Sequence, residues 1–353
     1  MRTVRVAIAR RLESSAEPPL AARLLSTAWN AVGARGMARP LALPRGTQVI
    51  GVGGATLGGS YKTPFSVALA EALASRGHAV ALVGHAYRAR PGNPRIVAPS
   101  DEIAEVGDDA RFAAQRLAGT RVSVVVAQSR QAAVDFAART AQILVVDGLL
   151  QTRPVRLTRS ILLVDAERGW GNGHCPPGGD LRASPGALLA ATDAVVMVSD
   201  AIAPRTSHAV LPACRRVREG AEVARFDVIS AVDRARRRDG SSVSLSHLAG
   251  CAVGLVLAVA RSDRIVEMLA RRGVRAVATA LFPDHYRPTP AEVTRFVSTT
   301  QRIDVWLTTG KCATKLPMAI AGAPVLTLDH RVRIPESLLA WADDLFPSAG
   351  AVG

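Results

Sequence analysis

The sequence predicts an α/β fold, in which a parallel sheet covered by helices is followed by a second, smaller α/β domain. Short, continuous apolar runs alternate with helical stretches along the 353 residues. Strands of this kind are buried on both faces, as in parallel sheets packed between helices. Hydrophobic residues make up 48% of the chain but aromatic residues only 4%, which favours aliphatic cores. A chain of this length can bury two cores, so we expect two domains.

The N-terminal segment, residues 1–40, contains an amphipathic helix. Between residues 20 and 32 the apolar side chains recur at helical spacing along one face. These side chains are Leu20, Leu24, Leu25, Ala28, Trp29 and Val32. Two interpretations stay open: the helix docks on its own domain, or its apolar face lies in a membrane interface, where neighbouring arginines would meet anionic lipid.

The alternating pattern fills residues 41–215, the main domain, and is repeated in residues 216–353, the smaller domain. The predicted strands of the main domain are 48–53, 80–84, 122–127, 143–147, 161–165 and 194–198. A further strand, 222–230, lies close to the domain boundary. The predicted strands of the smaller domain are 251–259, 274–281, 304–309 and 324–328, with helices at 264–271 and after Pro290. We interpret the arginine-rich stretch 233–240 as a solvated loop.

The charge of the chain indicates acidic partners. Its 44 lysines and arginines exceed its 29 acidic residues and give a formal net charge of +15. Such a balance is typical of proteins that bind nucleic acid, anionic lipid or phosphorylated substrates. Because the sequence lacks a basic strand studded with aromatic residues, we expect no nucleic-acid partner. No apolar run approaches the roughly 18 residues of a membrane-spanning helix, so we expect no such helix.

Residues 53–64, with the sequence GGATLGGSYKTP, have the features of a phosphate-binding loop. A predicted strand precedes the loop, Gly58 and Gly59 allow a tight turn, and Pro64 suits the first turn of a helix. Lys62 supplies a cation for the terminal phosphates, and the Thr63 hydroxyl can bind Mg²⁺. The predicted nucleotide site consists of Thr56, Leu57, Gly58, Gly59, Ser60, Tyr61, Lys62 and Thr63. This loop predicts a P-loop NTPase-like main domain; the alternative is an ordinary glycine-rich turn.

Tyr61 departs from the phosphate-loop pattern, which has glycine at this position. Residues other than glycine rarely adopt a positive φ. We therefore expect either a negative φ at Tyr61 or a rebuilt turn.

Further motifs follow the loop in an order that resembles one family, the tetraacyldisaccharide 4'-kinases of lipid A synthesis. The loop itself is similar to the family's TVGGTGKTP, and RGHAVALVGHAYR to the segment that ends in SRGYG. The segments EVGDDARFAAQRL, VVDGLLQ and ERGWGNGHCPPGGDLR resemble the family's EVGDEP, DDGLQH and RGFGNGxxxPAGPLR. In the second half, ALFPDHYRPTPAEV is similar to FPDHHxYT, and TTGKCATKLP to TEKDxVKLP. This collinear resemblance extends over roughly residues 20–330.

The resemblance implies an enzyme that transfers the γ-phosphate of ATP to the 4'-hydroxyl of tetraacyldisaccharide 1-phosphate, with ATP and Mg²⁺ as cofactors. By motif position, the catalytic residues are Asp108 as the base, His285 as its orienting partner, and Lys62. A carboxylate that accepts the hydroxyl proton suits phosphoryl transfer. Asp109 is an alternative base. From residue type alone, Asp108 would be a helix N-cap and His285 a satisfied loop histidine.

The same resemblance assigns metal and acceptor residues. Thr63 and Asp147 are the expected Mg²⁺ ligands, although Val146 replaces the first of two adjacent aspartates in the family. As a strand-terminal residue, Asp147 could instead cap a turn. The expected substrate-binding residues are Arg168, Asn172, Arg182 and Gln151.

The resemblance also implies a location and partners. The enzyme would be peripheral at the cytoplasmic face of the inner membrane, bound to its anionic surface, with a lipid A disaccharide 1-phosphate precursor as substrate. Beyond Tyr61 and Val146, the chain departs from the family motifs at 84–86, Ala183, Gly310 and Cys312. These departures leave a second hypothesis open: a catalytically weak or inactive paralogue of the same fold that binds lipid or nucleotide.

Overall fold

The computed structural model of the chain describes residues 12–13, 17–37, 41–84, 86–150, 157–201, 223–297 and 302–344. These residues divide into two compact units. The larger unit takes its residues from Ser14–Ser230 and Val332–Gly353, and the smaller unit from Met1–Glu13 and Ala231–Arg331. Each unit contains a sheet and helices, so the predicted α/β class is confirmed.

Most of the strands and helices are short. Among the elements whose limits the sequence predicted, most begin and end within a few residues of those limits. In chain order the strands are β1 (Gln48–Gly54), β2 (Val80–Val83), β3 (Arg95–Ile96), β4 (Ser123–Val126), β5 (Ile143–Asp147), β6 (Arg159–Asp165), β7 (Ala194–Asp200), β8 (Ala224–Ala231), β9 (Arg234–Arg236), β10 (Ser242–Ser244), β11 (Val253–Leu257), β12 (Ala276–Leu281), β13 (Val305–Thr309), β14 (Ala319–Ile320), β15 (Ala323–Leu328) and β16 (Arg331–Arg333). The helices are α1 (Leu20–Met37), α2 (Lys62–Ser75), α3 (Ile103–Val106), α4 (Asp108–Arg116), α5 (Arg130–Ala137), α6 (Pro185–Ala190), α7 (Ser262–Arg271), α8 (Pro290–Thr294), α9 (Gly310–Ala313) and α10 (Glu336–Asp343), with a 3₁₀ turn at Leu245–Leu248.

The sheet of the larger unit has the order β16-β8-β7-β6-β1-β5-β2-β4-β3. From β8 to β4 the neighbouring strands are parallel, and β3 pairs antiparallel with β4. The chain builds one side of β1 with β2 to β5 and then the other side with β6 to β8. Parallel sheets bind ligands outside the carboxyl ends of the strands at such a reversal. The loop after β1 and the end of β5 therefore lie at the expected binding edge, where Val52 is in register with Asp147.

Aliphatic side chains cover both faces of this sheet. Because successive residues of a strand point to opposite faces, Val52 packs in the cluster with α2, whereas Val49 packs in the cluster with α5. The two clusters hold the carboxyl ends of β1 and β5 in a rigid frame under the site.

Helix α10 also belongs to the larger unit. Its side chains Leu338, Leu339 and Ala342 join the cluster on the α2 face of the sheet. Trp341 packs against Phe226 with ring centroids 5.7 Å apart, and the Arg159 guanidinium lies 4.8 Å from the Trp341 ring centroid. The last described helix of the chain thus completes the core of the unit that contains β1.

The sheet of the smaller unit has the order β10-β9-β15-β13-β11-β12, and β14 pairs with β15. The strands β15, β13, β11 and β12 are parallel, while β9 pairs antiparallel with both of its neighbours. The stretch 233–240, predicted as a solvated loop, contains β9 and an exposed turn. Within it, Arg238 donates hydrogen bonds to the carbonyl oxygens of Ala313 and Leu316 at 3.2 and 2.6 Å.

Candidate active site

The loop after β1, residues 55–61, pairs with the segment 180–182. The Leu57 N–H donates to the Asp180 carbonyl at 2.8 Å, and the Arg182 N–H donates to the Ala55 carbonyl at 3.0 Å. Thr56 and Leu181 form an antiparallel bridge between these contacts. The segment 180–182 therefore fixes the path of the loop from outside.

Hydroxyl groups and a close backbone contact fix the same loop from inside. The Thr56 and Ser60 hydroxyl oxygens are 2.8 Å apart, and Thr56 Oγ1 donates to the Gly58 carbonyl at 2.9 Å. A Cβ atom on Gly54 would lie 2.6 Å from Ser60 Cβ, which explains the glycine at the end of β1. The loop is thus folded tightly over the end of its strand.

Tyr61 precedes α2 with φ 55° and ψ 14°, the left-handed conformation. The expectation of a negative φ or a rebuilt turn is therefore wrong. The tyrosine adopts the backbone conformation that glycine adopts freely, and its partly buried ring packs against the core of the larger unit. The chain enters α2 through this left-handed residue, at a cost in backbone strain of about 1–2 kcal/mol.

Lys62 and Thr63 are the first residues of α2, and Asp147 is the last residue of β5. The Thr63 hydroxyl donates to Asp147 Oδ2 at 2.6 Å. Asp147 is buried, and its Oδ1 atom has no hydrogen-bond partner among the described residues. The structure thus brings together the two predicted Mg²⁺ ligands. A buried carboxylate oxygen with spare acceptor capacity fits a cation site better than a turn cap.

Burial raises the pKa of Asp147, and the negative charge of Asp109 raises it further. The Thr63 hydrogen bond and the positive charges of Lys62 and Arg130 oppose this rise. Removing a carboxylate from water disfavours its charged form, whereas a bound cation favours it. The Asp147 carboxyl is therefore harder to ionise than a carboxyl in water, and a bound cation would favour its charged form.

Two half-buried arginines lie within electrostatic range of Asp147. Arg130 donates to the carbonyl oxygens of Gly148 and Asp147 at 3.1 and 3.3 Å. Arg182 donates from Nε to the Thr56 carbonyl at 3.0 Å. Burial lowers the pKa of both guanidinium groups, yet arginine stays protonated at neutral pH. They supply fixed positive charge beside the phosphate loop.

Arg130 was not predicted from the sequence. It begins α5 directly after Ser129, whose side chain caps that helix. A serine followed by an arginine after a short strand looks like an ordinary helix start. Only the sheet order, which places β4 two strands from β5 with β2 between them, brings the start of α5 to the end of β5.

The predicted acceptor residues Arg168 and Asn172 lie in a loop rich in glycine. Gly169, Gly171 and Gly173 all have positive φ values, of 55°, 61° and 77°. Asn172 uses its amide within this loop, donating to the Gly178 carbonyl at 2.8 Å and accepting from the His174 N–H at 3.1 Å. Asn172 therefore shapes the loop that ends at Arg182. Gln151 lies outside the described residues.

Asp108 and Asp109 begin α4, which is preceded by Gly107 at φ 86°. The N-cap of α4 is Gly107 and not Asp108, so the interpretation of Asp108 as an N-cap is wrong. Asp108 is only 4% exposed, whereas Asp109 is half-buried. The side chain of Asp108 is thus held inside the protein, where an acid serves chemistry more often than solubility.

His285 lies in the smaller unit, between β12 and α8, with φ 61°. Its backbone N–H donates to the Asp284 Oδ1 atom at 2.9 Å and to the Ala258 carbonyl at 3.2 Å. Its Nε2 atom lies 3.2 Å from Lys311 Nζ. The histidine is therefore held at the carboxyl edge of the β11-β12-β13 sheet, in a conformation that is rare for a residue with a side chain. Like Arg130, Lys311 was not predicted as a site residue from the sequence.

Helix α1 contacts the larger unit through its polar side and leaves its apolar side exposed. Ser26 Oγ donates to the Cys175 carbonyl at 2.6 Å, and Asn30 Oδ1 accepts from the Ser184 N–H at 2.7 Å. The exposed side chains are Leu20, Leu24, Leu25 and Trp29. The helix is thus hydrogen-bonded to the larger unit, in line with docking on its own domain. The apolar side chains that a membrane-interface helix would use are exposed. Among the described helices, none has the length and apolar character to cross a membrane.

Comparisons with known proteins identify one family of related sequences. The family model for tetraacyldisaccharide-1-P 4'-kinase matches residues 20–346. The tetraacyldisaccharide 4'-kinase of Methylobacterium nodulans is 35% identical over 326 residues, which cover 90% of this chain and 89% of the relative. The enzyme of the same name from Anaeromyxobacter sp. strain K is 30% identical over 311 residues, which cover 86% of this chain and 81% of the relative.

A solved structure has the same fold. LpxK from Aquifex aeolicus, crystallised in complex with ATP, aligns with a TM-score of 0.64 at 20% identity, over 92% of this chain and 96% of the other. The alignment supports the P-loop-like fold predicted for the main domain. Together with the family model and the curated relatives, it carries the conclusion: the chain belongs to the tetraacyldisaccharide-1-P 4'-kinase family.

Proposed function

We propose that this chain is an ATP-dependent kinase that phosphorylates the 4'-hydroxyl of tetraacyldisaccharide 1-phosphate in lipid A synthesis. The family match over residues 20–346 and the kinase relatives support this activity. The observation that carries it is the left-handed Tyr61 before α2, because the loop keeps its turn where the sequence departs most from the family. Nothing in the comparisons favours the inactive paralogue.

ATP binds, in this proposal, at the loop of residues 56–63. The first backbone N–H groups of a helix have no partner within the helix and attract anions, and α2 begins at Lys62 directly behind the loop. Lys62 then neutralises the terminal phosphates as a compact charge. Arg182, which donates to the Thr56 carbonyl, keeps the loop in shape and adds positive charge.

Magnesium fits the pair Thr63 and Asp147. The buried Asp147 Oδ1 atom, without a hydrogen-bond partner among the described residues, is a ready ligand, and Thr63 Oγ1 lies 2.6 Å from Oδ2. A bound Mg²⁺ ion would neutralise charge on the transferred phosphoryl group. Val146 is buried in the aliphatic core of β5, so this chain offers one aspartate at the strand end where the family has two.

The transfer step forms a bond between the 4'-oxygen of the sugar and the γ-phosphorus of ATP and breaks the bond to the β,γ-bridging oxygen, releasing ADP. Asp108 accepts the proton of the hydroxyl, and His285 orients the base; Asp109 is the alternative base. Arg168, Asn172, Arg182 and Gln151 belong to the proposed acceptor side. The roles of Asp108 and His285 predict strong non-additivity: changing both residues should lower kcat little more than changing one of them.

The membrane surface is the proposed location of the enzyme, at the cytoplasmic face of the inner membrane. The exposed leucines and Trp29 of α1 form an apolar strip on a helix that is hydrogen-bonded to the larger unit by its other side. The net charge of +15 favours attraction to anionic headgroups. A helix of this kind lies in the interface with its apolar face among the acyl chains, close to a lipid substrate.

The direct test is transfer of labelled γ-phosphate from ATP to tetraacyldisaccharide 1-phosphate, measured across a Mg²⁺ titration. We expect phosphorylated lipid with the wild-type chain and a loss of about a hundredfold or more with Lys62→Ala, because the lysine neutralises charge that develops in transfer. Arg121→Gln serves as a control that removes an exposed cation away from the loop. No transfer by folded wild-type protein at any Mg²⁺ concentration would reject the proposal.

A further inference from the structure

In the smaller unit, the side chain of Lys311 contacts the ring of His285. Its Nζ atom lies 3.2 Å from His285 Nε2 and 3.6 Å from Asp284 Oδ1, while Asp284 Oδ2 lies 3.5 Å from His285 Nε2. The side chains of Lys311 and His285 are only 19% and 16% exposed. The three groups form a compact, largely buried cluster at the carboxyl edge of the sheet.

The backbone holds Lys311 and His285 in this arrangement. Ala258, just beyond β11, accepts the His285 N–H with its carbonyl and donates its own N–H to Cys312 Sγ at 3.2 Å. The Thr309 hydroxyl accepts from the Cys312 N–H at 3.2 Å and caps α9. Ala258 thus connects the loop that carries His285 with the helix turn that carries Lys311. The distance between the two side chains therefore depends on the end of β11.

The distance of 3.2 Å decides which ring nitrogen carries the proton. A lysine ammonium has three N–H donors and no acceptor, so it can contact Nε2 favourably only when that nitrogen has a free lone pair. A proton on Nε2 would point at these donors. Asp284 Oδ2, an acceptor for such a proton on the neighbouring residue, is farther away at 3.5 Å. In the neutral ring the proton is then on Nδ1.

We propose that Lys311 is a positioning residue that holds His285 in the Nδ1–H tautomer by donating a hydrogen bond to Nε2. The consequence for catalysis rests on the proposed function: a histidine that orients a carboxylate base must present its N–H from one fixed nitrogen. Lys311 ensures that this nitrogen is Nδ1.

The composition of the chain is consistent with a specific need for lysine here. Among its 44 lysines and arginines, lysine occurs only at Lys62, Lys311 and Lys315. A planar guanidinium spreads its charge over several donors, whereas an ammonium is a compact charge that can approach a single ring nitrogen. In a chain that has arginine at almost every other basic position, the residue in contact with His285 is a lysine.

The tautomer can be measured directly in the full-length protein by long-range ¹H–¹⁵N spectra with ¹⁵N-labelled histidine. The sequence has 7 histidines, and His285→Gln identifies the signal. We expect a protonated Nδ1 and an unprotonated Nε2 in the wild type, and appearance of the Nε2–H tautomer in Lys311→Met. Arg287→Met, which removes an exposed cation two residues from His285, should leave the wild-type pattern unchanged.

Asp284→Asn separates the two candidate partners of Nε2. If Lys311 is the partner, Asp284→Asn keeps the Nδ1–H tautomer; a switch in Asp284→Asn but not in Lys311→Met would overturn the proposal, as would a protonated Nε2 in the wild type. Should Lys311→Met not fold, the wild-type and Asp284→Asn spectra still decide. These spectra need no substrate, so an inactive protein with the expected tautomer would reject the proposed function alone.

In the kinase assay, Lys311→Met should lower kcat about tenfold while the KM for ATP changes less than about twofold, because the lysine acts through the histidine. Lys311→Arg should recover part of kcat, since it restores a donor but not the compact geometry. A rise in the KM for ATP at unchanged kcat would contradict this role.

Discussion

At residue 61 a tyrosine adopts φ 55° and ψ 14°, a conformation that the rest of the turn imposes. Contacts on both sides fix the path: 180–182 outside the loop, and the hydroxyl groups of Thr56 and Ser60 within it. The sequence predicted a strand-to-helix loop with Lys62 and Thr63 at the start of the helix, as observed, but it could not predict the backbone angle at Tyr61. That angle depends on tertiary contacts, which outweigh the local preference of a single residue.

Tyr61→Gly tests the strain in this turn. Tyr61→Ala keeps a Cβ atom at positive φ. The free energy of unfolding of Tyr61→Gly should therefore be about 1 kcal/mol higher than that of Tyr61→Ala. Both variants lose the ring, so their difference isolates the backbone from the packing. Urea unfolding measures it, and equal stability of the two variants would mean that the left-handed angle carries no strain.

Asp147→Asn tests the buried carboxylate. Its raised pKa means that ionisation costs more in the folded than in the unfolded protein, where the pKa is about 3.9. The wild type therefore loses stability as the pH rises through the raised pKa, and the variant does not. Without Mg²⁺, we expect the two to be similar in acid and the variant to be the more stable at neutral pH.

The same variant should lose about a hundredfold in phosphate transfer, since an amide is a poor substitute for a carboxylate ligand. Denaturant curves in EDTA at several pH values give the stability, and Asp135→Asn, at an exposed position in α5, provides the control. A variant less stable than wild type at neutral pH would show that Asp147 serves the fold rather than the site.

At the scale of elements, the periodicity of the sequence predicted α1 and the strands that matter for the site. It could not show which side of α1 meets the protein, because the docking contacts are hydrogen bonds from Ser26 and Asn30 rather than apolar packing. The hydrophobic pattern alone favours burial of the leucines. The structure places these leucines outward, at 67% exposure for Leu24 and 59% for Leu25.

Leu24→Gln with Leu25→Gln should weaken binding to vesicles that contain anionic lipid by about tenfold or more, since burial of a leucine contributes about 1.5–3 kcal/mol. The changes are neutral, so electrostatic attraction is preserved, and the exposed Thr27→Gln is the matched control on the same helix. Co-sedimentation measures binding. Kinase activity on detergent-dispersed substrate should be unchanged, and unaltered sedimentation of the double variant would argue against α1 as the membrane contact.

At the scale of the whole molecule, the chain leaves the larger unit at the end of β8 and returns to it with β16. The predicted domain limits at residues 40 and 215 remain predictions, and a linear reading of strands and helices gives no reason to separate 332–344 from the segment before it. Helix α10 belongs to the larger unit because Leu338 and Leu339 pack in that unit's core. This packing is between residues far apart in sequence, so a local pattern does not predict it. Arg130 escaped prediction for the same reason.

Trp341→Ala tests the attachment of α10. Removing a half-buried indole that contacts Phe226 and Arg159 should lower the free energy of unfolding of the larger unit by about 2 kcal/mol. Ser337→Ala, at an exposed position of the same helix, should have little effect. Hydrogen exchange resolved by peptide reports each unit separately, and equal loss of protection in both units would contradict a role confined to the larger one.

The return of the chain to the larger unit has a consequence for synthesis on the ribosome. Translation proceeds from the N-terminus, and Leu338, Leu339 and Ala342 lie within the core on the α2 face of the sheet. The unit that contains the phosphate loop therefore lacks part of its core until every residue of the smaller unit has been translated. A nascent chain released before α10 would carry all the residues of the proposed nucleotide site on an unfinished scaffold.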